Sequence, residues 1–282
     1  MRPAKVCFIK GEDLYGSVLR SLQIIEDEIE AKPRVVIKPN FVSTRNQLSA
    51  TYVAQVQAIA EFFEGKCDEI IVAESSAIGQ AEDGYRNFGY YDRLKGVRFV
   101  NLDDGEHEAV EIRDVRGGKT TVRVSRLLMD KNCTVVSAAK LKTHDTVVAT
   151  LSAKNVIMAS MIEKSRMHPD YRTAHRNLAD VMRCLHIDLA VMDGIHAMEG
   201  NGPCSGTAIN AGCVIASTDF LAADRVALEV MGIDADRVGY LNYIYELGLG
   251  EFDLGKIQVV GDRLARKPFR LHDNVEEQYA WR

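Results

Sequence analysis

The sequence predicts an α/β fold, a mostly parallel sheet with helices on both faces. Three observations carry this. Short β-branched runs alternate with longer amphipathic stretches through most of the 282 residues, the rhythm of successive βα units. The amphipathic stretches are punctuated as helices are, with Asp13 before the first and Gly65 after the second. A composition of 46% hydrophobic and 27% charged residues is that of a packed domain and excludes a disordered or fibrous chain.

Residues 6–9 read as the first strand. Leu14, Val18, Leu19, Leu22, Ile25 and Ile29 then place an apolar stripe on one helix face. Residues 35–37 form a second strand that Pro39 stops, 51–63 a helix, 69–73 a third strand and 97–100 a fourth. Between 109 and 125 two alternating segments flank Arg116-Gly117-Gly118-Lys119, the pattern of a β-hairpin inserted into the βα rhythm. The rhythm resumes with a strand at 134–138, helices around 148–161 and 174–185, and a strand at 187–192. A Gly-rich loop is expected from 193 to 206. A strand at 212–216, helices at 220–231 and 237–247, and a short strand at 257–260 complete the pattern. No linker, repeat or low-complexity segment divides the chain. Residues 1–282 are therefore expected to form a single α/β domain, with the hairpin insertion at about 109–125 and a polar C-terminal tail at about 263–282.

Charge and cysteine usage bound the function. With 35 Lys plus Arg against 40 Asp plus Glu and no long basic run, the chain lacks the footprint of a nucleic-acid binder. No apolar run reaches the length of a membrane span, and the first residues lack the apolar region of a signal peptide, so a cytoplasmic location is expected. The six cysteines, Cys7, Cys67, Cys133, Cys184, Cys204 and Cys213, contain no C-x-x-C pair, which argues for free thiols rather than a zinc ribbon or ferredoxin-like cluster.

In open α/β sheets ligands collect at the carboxyl ends of parallel strands, among loops and helix N-termini. Five predicted strand ends carry polar or ionisable groups: Lys38 and Asn40; Glu74 and Ser75; Lys140, Lys142, Thr143 and His144; Asp193 and Glu199; and Asp219. If the strands are neighbours, these groups share one crevice. Simpler readings exist for each set. Asp219 suits a helix N-cap, Lys38 a solvated turn, and the Lys-x-Lys-Thr-His-Asp segment a solvated loop, although it directly follows an apolar strand. His168, His175 and His186 read as surface or packing residues. Two glycine patterns fail. Gly117-Gly118-Lys119-Thr120 lacks the P-loop's first glycine, since Arg113 stands there, and Gly200-x-Gly202 with Gly206 leads to a strand rather than a helix.

Lys38, Lys140, Lys142 and Lys154 gather positive charge at one sheet edge of an acidic protein, which suits a small carboxylate- or phosphate-bearing ligand. Asp193, Glu199 and Asp219 are the candidate ligands of a divalent metal, and their oxygen donors would suit magnesium or manganese. His144 is the candidate general acid or base.

At these loops the sequence resembles the domain of unknown function 362 family, whose members are often labelled iron–sulfur cluster-binding because many carry a ferredoxin-like module. The matching stretches are Ile37-Lys38-Pro39-Asn40, Ala139 to His144, Ala153-Lys154-Asn155, Asp193-Gly194-Ile195, and Met198 through Gly200 and Gly202 to Gly206, with Asp219, Asp224 and Gly232 beyond. The resemblance spans roughly residues 35–232 and implies a common ligand site but no reaction. The ferredoxin-like cysteine segment is missing, so an iron–sulfur cluster is not expected in this chain and any redox role would run through a separate ferredoxin-like partner.

The expected function is an enzyme, metal-assisted if a divalent ion is held, whose lysines bind the anion. His144, Lys142 and Glu199 are its expected catalytic groups, with Glu199 or Asp193 orienting His144. Lys38, Asn40, Glu74, Ser75, Lys140, Thr143, Lys154, Asn155, Gly200 and Gly202 are its expected ligand-binding residues. The alternative is a non-catalytic cofactor-binding or accessory protein working with a redox partner.

Overall fold

A computed structural model describes residues 3–281; Met1, Arg2 and Arg282, the ends of the expected domain and tail, lie outside the described residues. The strands are β1 (Ala4–Lys10), β2 (Arg34–Lys38), β3 (Glu69–Glu74), β4 (Arg98–Asn101), β5 (His107–Arg113), β6 (Lys119–Ser125), β7 (Cys133–Thr143), β8 (Ala149–Thr150), β9 (Leu189–Glu199), β10 (Thr207–Ile209), β11 (Cys213–Ser217) and β12 (Ile257–Gly261). The helices are α1 (Leu14–Ile24), α2 (Val53–Phe63), α3 (Ala81–Asn87), α4 (Tyr90–Arg93), α5 (Ser152–Ala159), α6 (Tyr171–Met182), α7 (Phe220–Met231), α8 (Gly239–Glu246) and α9 (Val275–Gln278).

The main sheet runs β12-β1-β11-β9-β7-β2-β3-β4, with β8 and β10 extending β7 and β9. From β9 through β7, β2 and β3 to β4 every pairing is parallel. The strand β11 is antiparallel to both β9 and β1. Successive side chains alternate between the two faces, as strand geometry requires. Val35, Ile37 and Val72 pack with Val18, Leu22, Ile59 and Phe63 of α1 and α2. Val36 and Ile71 face the opposite layer, where Val156, Leu178, Val226 and Leu241 of α5, α6, α7 and α8 are buried.

Several local expectations hold. Asp13 caps α1, its carboxylate accepting from the Gly16 N–H, although α1 ends at Ile24 and the remaining apolar positions, Ile25 and Ile29, flank a 3₁₀ turn at Glu26–Glu28. The hairpin β5–β6 forms its own two-stranded sheet. It is fastened to α6 by a reciprocal pair of bonds between Asn177 and the Arg113 backbone, 2.9 Å each.

Three features differ from expectation. The strand β7 continues five residues beyond Ala138 and β9 seven beyond Met192, so Lys140, Lys142, Asp193 and Glu199 lie within strands. The expected loop from 193 to 206 is thus reduced to the turn between β9 and β10. Reversal of β11 carries its carboxyl end to the far sheet edge, because Ser217 pairs with Ala190 while Val214 pairs with Asp193. The C-terminal tail is a packed strap: Lys267 and Phe269 donate to the Val230 and Met231 carbonyls, and Phe269 and Trp281 are buried. A strap that runs across the surface through isolated anchors has no periodicity, which is why its sequence looks like a polar tail.

Candidate functional site

Where β2, β3 and β7 end against the first turn of α5, the fold encloses a cavity of about 400 Å³. Its walls include Lys38, Asn40, Glu74, Ser75, His144, Asp145, Thr150, Lys154, Asn155, Lys164, His168 and Pro203. The position of α5 fixes much of this wall. Leu151, its N-cap, has no side chain to satisfy the first N–H groups. The buried Asp224 carboxyl of α7 does so instead, accepting from Ser152 N at 2.8 Å and Ala153 N at 3.0 Å. Burial pushes that carboxyl up to about 7, opposed by the two N–H donors. A helix start pinned in this way holds Lys154 and Asn155 in register with the strand ends.

A hydrogen-bonded chain then links five side chains. Glu74 receives Lys38 Nζ, 3.0 Å from Oε1, and the backbone N–H groups of Phe41 and Ser75 at 2.7 and 2.8 Å. Lys38 Nζ also donates to Asn155 Oδ1 at 2.7 Å, which accepts from Asn40 Nδ2 at 3.0 Å. Asn40 Oδ1 in turn accepts from Lys142 Nζ at 2.8 Å. Because lysines only donate, the amide orientations are fixed by the chain's ends. Burial lowers Lys38 to about 8 and raises Glu74, each opposed by the charge of the other.

The remaining cations are distributed unevenly. Lys164 donates to the Ser75 hydroxyl and lies 3.7 Å from Asp103. Lys154, only 3% exposed, has no carboxylate within ion-pair distance among the described residues; its Nζ lies 3.4 Å from His168 Nε2. Burial brings Lys154 down to about 7, the Asp145 charge opposing. His168 stacks on His144 with ring centroids 5.6 Å apart. Burial, assisted by the Lys154 charge, lowers His144 to about 3 and His168 well below the ordinary range, so both imidazoles are neutral at pH 7. Thr150 Oγ1 is buried on the cavity wall without a partner, an unsatisfied group of the kind that native structures rarely leave.

His144 sits in a tight loop. Its N–H donates to Val148 O at 2.9 Å, and Nδ1 lies 3.0 Å from both Thr146 N and Asp145 Oδ1. Val148 has φ of 70°, a conformation that β-branched residues avoid. The strap clamps it: Gln278 accepts from Val148 N at 2.5 Å and donates to His144 O at 2.9 Å.

The expected site residues separate accordingly. Lys38, Asn40, Glu74, Ser75, His144, Lys154 and Asn155 are brought together on the cavity wall. Lys142 lies behind it, wholly buried and bonded to Asn40. Lys140 is held by the Leu48 and Ala50 carbonyls at 2.8 and 3.2 Å, near the Tyr52 ring. Thr143 donates to Gly200 O at 2.8 Å. A Cβ on Gly202 would stand 2.2 Å from Thr143 O, so the turn needs glycine there to bring Pro203 to the cavity. Contrary to the expectation from the sequence, neither Asp193 nor Glu199 orients His144. Asp193 accepts from Ile195 N, His196 N and the His196 ring, and Glu199 accepts from Arg270 N at 2.9 Å. Asp219 caps α7 at the reversed end of β11, apart from the cavity.

These placements bear on metal binding. Asp193, Glu199 and Asp219 are each spent on backbone N–H groups and are not gathered. Among the described residues no three His, Cys, Asp or Glu side chains form a metal-holding group. The six cysteines are all free thiols, three of them buried. The residues present therefore do not fit a divalent ion at those carboxylates or a cysteine-ligated iron–sulfur cluster.

Sequence reasoning missed Thr150, Lys164 and Gln278 and assigned His168 to packing. None sits at a parallel strand end; only the tertiary fold brings Thr150, Lys164 and His168 to the wall and sets Gln278 against the His144 loop.

A family model described as a domain of unknown function, DUF362, matches residues 35–229, the span from β2 through most of α7 that builds the cavity. The chain belongs to the DUF362 family. Among its relatives is a thylakoid-associated protein of Synechocystis sp., 28% identical over 259 residues that cover 83% of this chain and 76% of that protein. Among solved structures, the lactate racemase apoprotein from Thermoanaerobacterium thermosaccharolyticum superposes with a TM-score of 0.54 at 12% identity, over 82% of this chain. A Thermotoga maritima protein gives 0.47 at 12% identity, covering 78% of this chain. This chain spans 58% and 60% of those two. The first likeness establishes a shared α/β architecture, and sequence identity that low extends no further than the fold. No helix of the described residues is long and apolar enough to cross a membrane.

Proposed function

We propose that this DUF362 protein is an enzyme whose cavity takes a small carboxylate- or phosphate-bearing metabolite, with His144 exchanging a proton with it. The observation that carries this is the charge inventory of the wall. Three lysines, Lys38, Lys154 and Lys164, line the cavity; two have carboxylate neighbours in Glu74 and Asp103, and Lys154 has none within ion-pair distance among the described residues. A buried ammonium without a counter-ion is strongly disfavoured, and an anionic ligand supplies one. Thr150 Oγ1 offers an additional donor. His144, neutral at pH 7 and beside Asp145 and Thr146, gains basicity from an anion bound in the cavity, which favours its protonated form and lets it exchange a proton with that ligand.

The test is denaturation with inorganic phosphate or pyruvate against chloride at equal ionic strength. A ligand at ten times its Kd stabilises by about 1.4 kcal/mol. That stabilisation is expected in the native chain and should be lost in Lys154→Met. No difference between phosphate, pyruvate and chloride would refute the anion site.

A further inference from the structure

Lys154 stands apart from the other buried lysines. Lys38 is locked between Glu74 and Asn155, Lys140 between two carbonyls, and Lys142 against Asn40 with no place on the cavity wall. Lys38 has a carboxylate partner, and Lys140 and Lys142 are tied to fixed oxygen acceptors away from the cavity wall. Among the described residues Lys154 has one polar side chain within bonding distance, the neutral His168 imidazole, and it lines the cavity. An amine desolvated in this way, with no carboxylate within ion-pair distance among the described residues and only the more distant Asp145 charge favouring its proton, is the arrangement that makes lysine a nucleophile toward carbonyl groups.

We propose that Lys154 adds reversibly to the carbonyl carbon of a small 2-oxo acid held in the cavity, forming a Schiff base. This rests on the reading of the cavity as an anion site, because the acid's carboxylate must be held beside the Lys38 and Lys164 ammoniums and the Thr150 hydroxyl. The neutral Lys154 nitrogen forms the C–N bond as the carbonyl π pair moves to oxygen. The nitrogen loses a proton and the oxygen gains one, giving a carbinolamine. Its hydroxyl takes a second proton and leaves as water while the nitrogen lone pair closes the C=N bond, so that the addition expels one water and needs no oxidant or reductant. His168, 3.4 Å from Nζ, is placed to relay the amine proton to the departing oxygen. With Lys154 brought down to about 7 by burial, about half its amine is free at pH 7, against roughly one part in several thousand for an exposed lysine.

The test uses the full chain at pH 7 with glyoxylate or pyruvate and sodium cyanoborohydride. The reagent reduces the imine to a stable secondary amine, which peptide mapping then locates. Lys154 is expected to acquire the adduct at least tenfold faster than the exposed Lys119, with excess inorganic phosphate slowing the reaction at Lys154 and not at Lys119. His168→Gln should slow labelling of Lys154 at a given occupancy of the cavity by the 2-oxo acid. Labelling of Lys119 without preferential labelling of Lys154 overturns the proposal. Phosphate binding, measured separately by calorimetry, distinguishes the two failures. If phosphate binds and Lys154 stays unlabelled, the Schiff base is refuted and the anion site stands; if phosphate does not bind either, both are refuted.

Discussion

Replacing Lys154 by methionine makes the energetics of the cavity measurable through pH. The folded protein lowers this amine from an ordinary 10.5 to about 7 because burial disfavours its charge. The direction of the linkage follows from proton counts. Below pH 7 the amine is protonated in both folded and unfolded chains, and the penalty of the buried ammonium is fully present. Between about 7 and 10.5 the unfolded chain holds a proton that the folded chain has released, so native stability rises with pH. Lys154→Met has no such group. The native protein should therefore gain on the variant by about 1.4 kcal/mol per pH unit through that window, with a ceiling of about 4–5 kcal/mol. Urea denaturation followed by the fluorescence of the single tryptophan, Trp281, which is buried in the strap, supplies the difference at pH 7, 8, 9 and 10. A difference that stays flat over this range would show that the ammonium is already compensated, and would refute the argument that it awaits an anion.

Two further substitutions separate ligand effects from folding effects. Thr150→Val removes a buried hydroxyl that has no partner; the ligand-free protein should become more stable by about 1 kcal/mol, while calorimetry should show phosphate affinity falling several-fold. Gln278→Ala leaves the Val148 N–H and His144 carbonyl unsatisfied, which should destabilise the protein by about 2–4 kcal/mol and weaken anion binding by releasing the His144 loop, both read by denaturation and calorimetry on the same sample.

The alternation of short β-branched runs with amphipathic stretches was sufficient for the architecture, because the inner parallel strands β2, β3, β7 and β9 are largely buried on both faces and read as apolar runs. It was insufficient for strand ends. Lys140, Lys142 and Asp193 look like the start of a loop, yet they remain in β7 and β9 because their polar atoms find backbone carbonyls, amides and N–H groups inside the fold. Direction was equally hidden. Residues 213–217 have the same texture whether a strand runs parallel or antiparallel, and the reversal of β11 removes Asp219 from the site. The strand-end argument did bring Lys38, Glu74 and His144 to one cavity wall, since their positions follow from the parallel strands, whereas Lys154, which lies in the helix after β7, entered through its charge and the family resemblance. Thr150, Lys164, His168 and Gln278 carry no local signal. Each acquires its place from packing between segments far apart in the chain, most plainly Gln278, which lies 130 residues from its partner Val148.

The claim that Lys154 is a buried amine awaiting an anion is tested most directly by proton uptake on binding. Calorimetric titration of phosphate at pH 7.5, repeated in buffers of different ionisation enthalpy, counts the protons taken up. A bound anion favours the ammonium form, and an amine near 7 is about three-quarters neutral at pH 7.5, so the native chain is expected to take up as much as about 0.75 proton per site more than Lys154→Met. Binding with the same proton count in both proteins, or with none in either, would contradict the account.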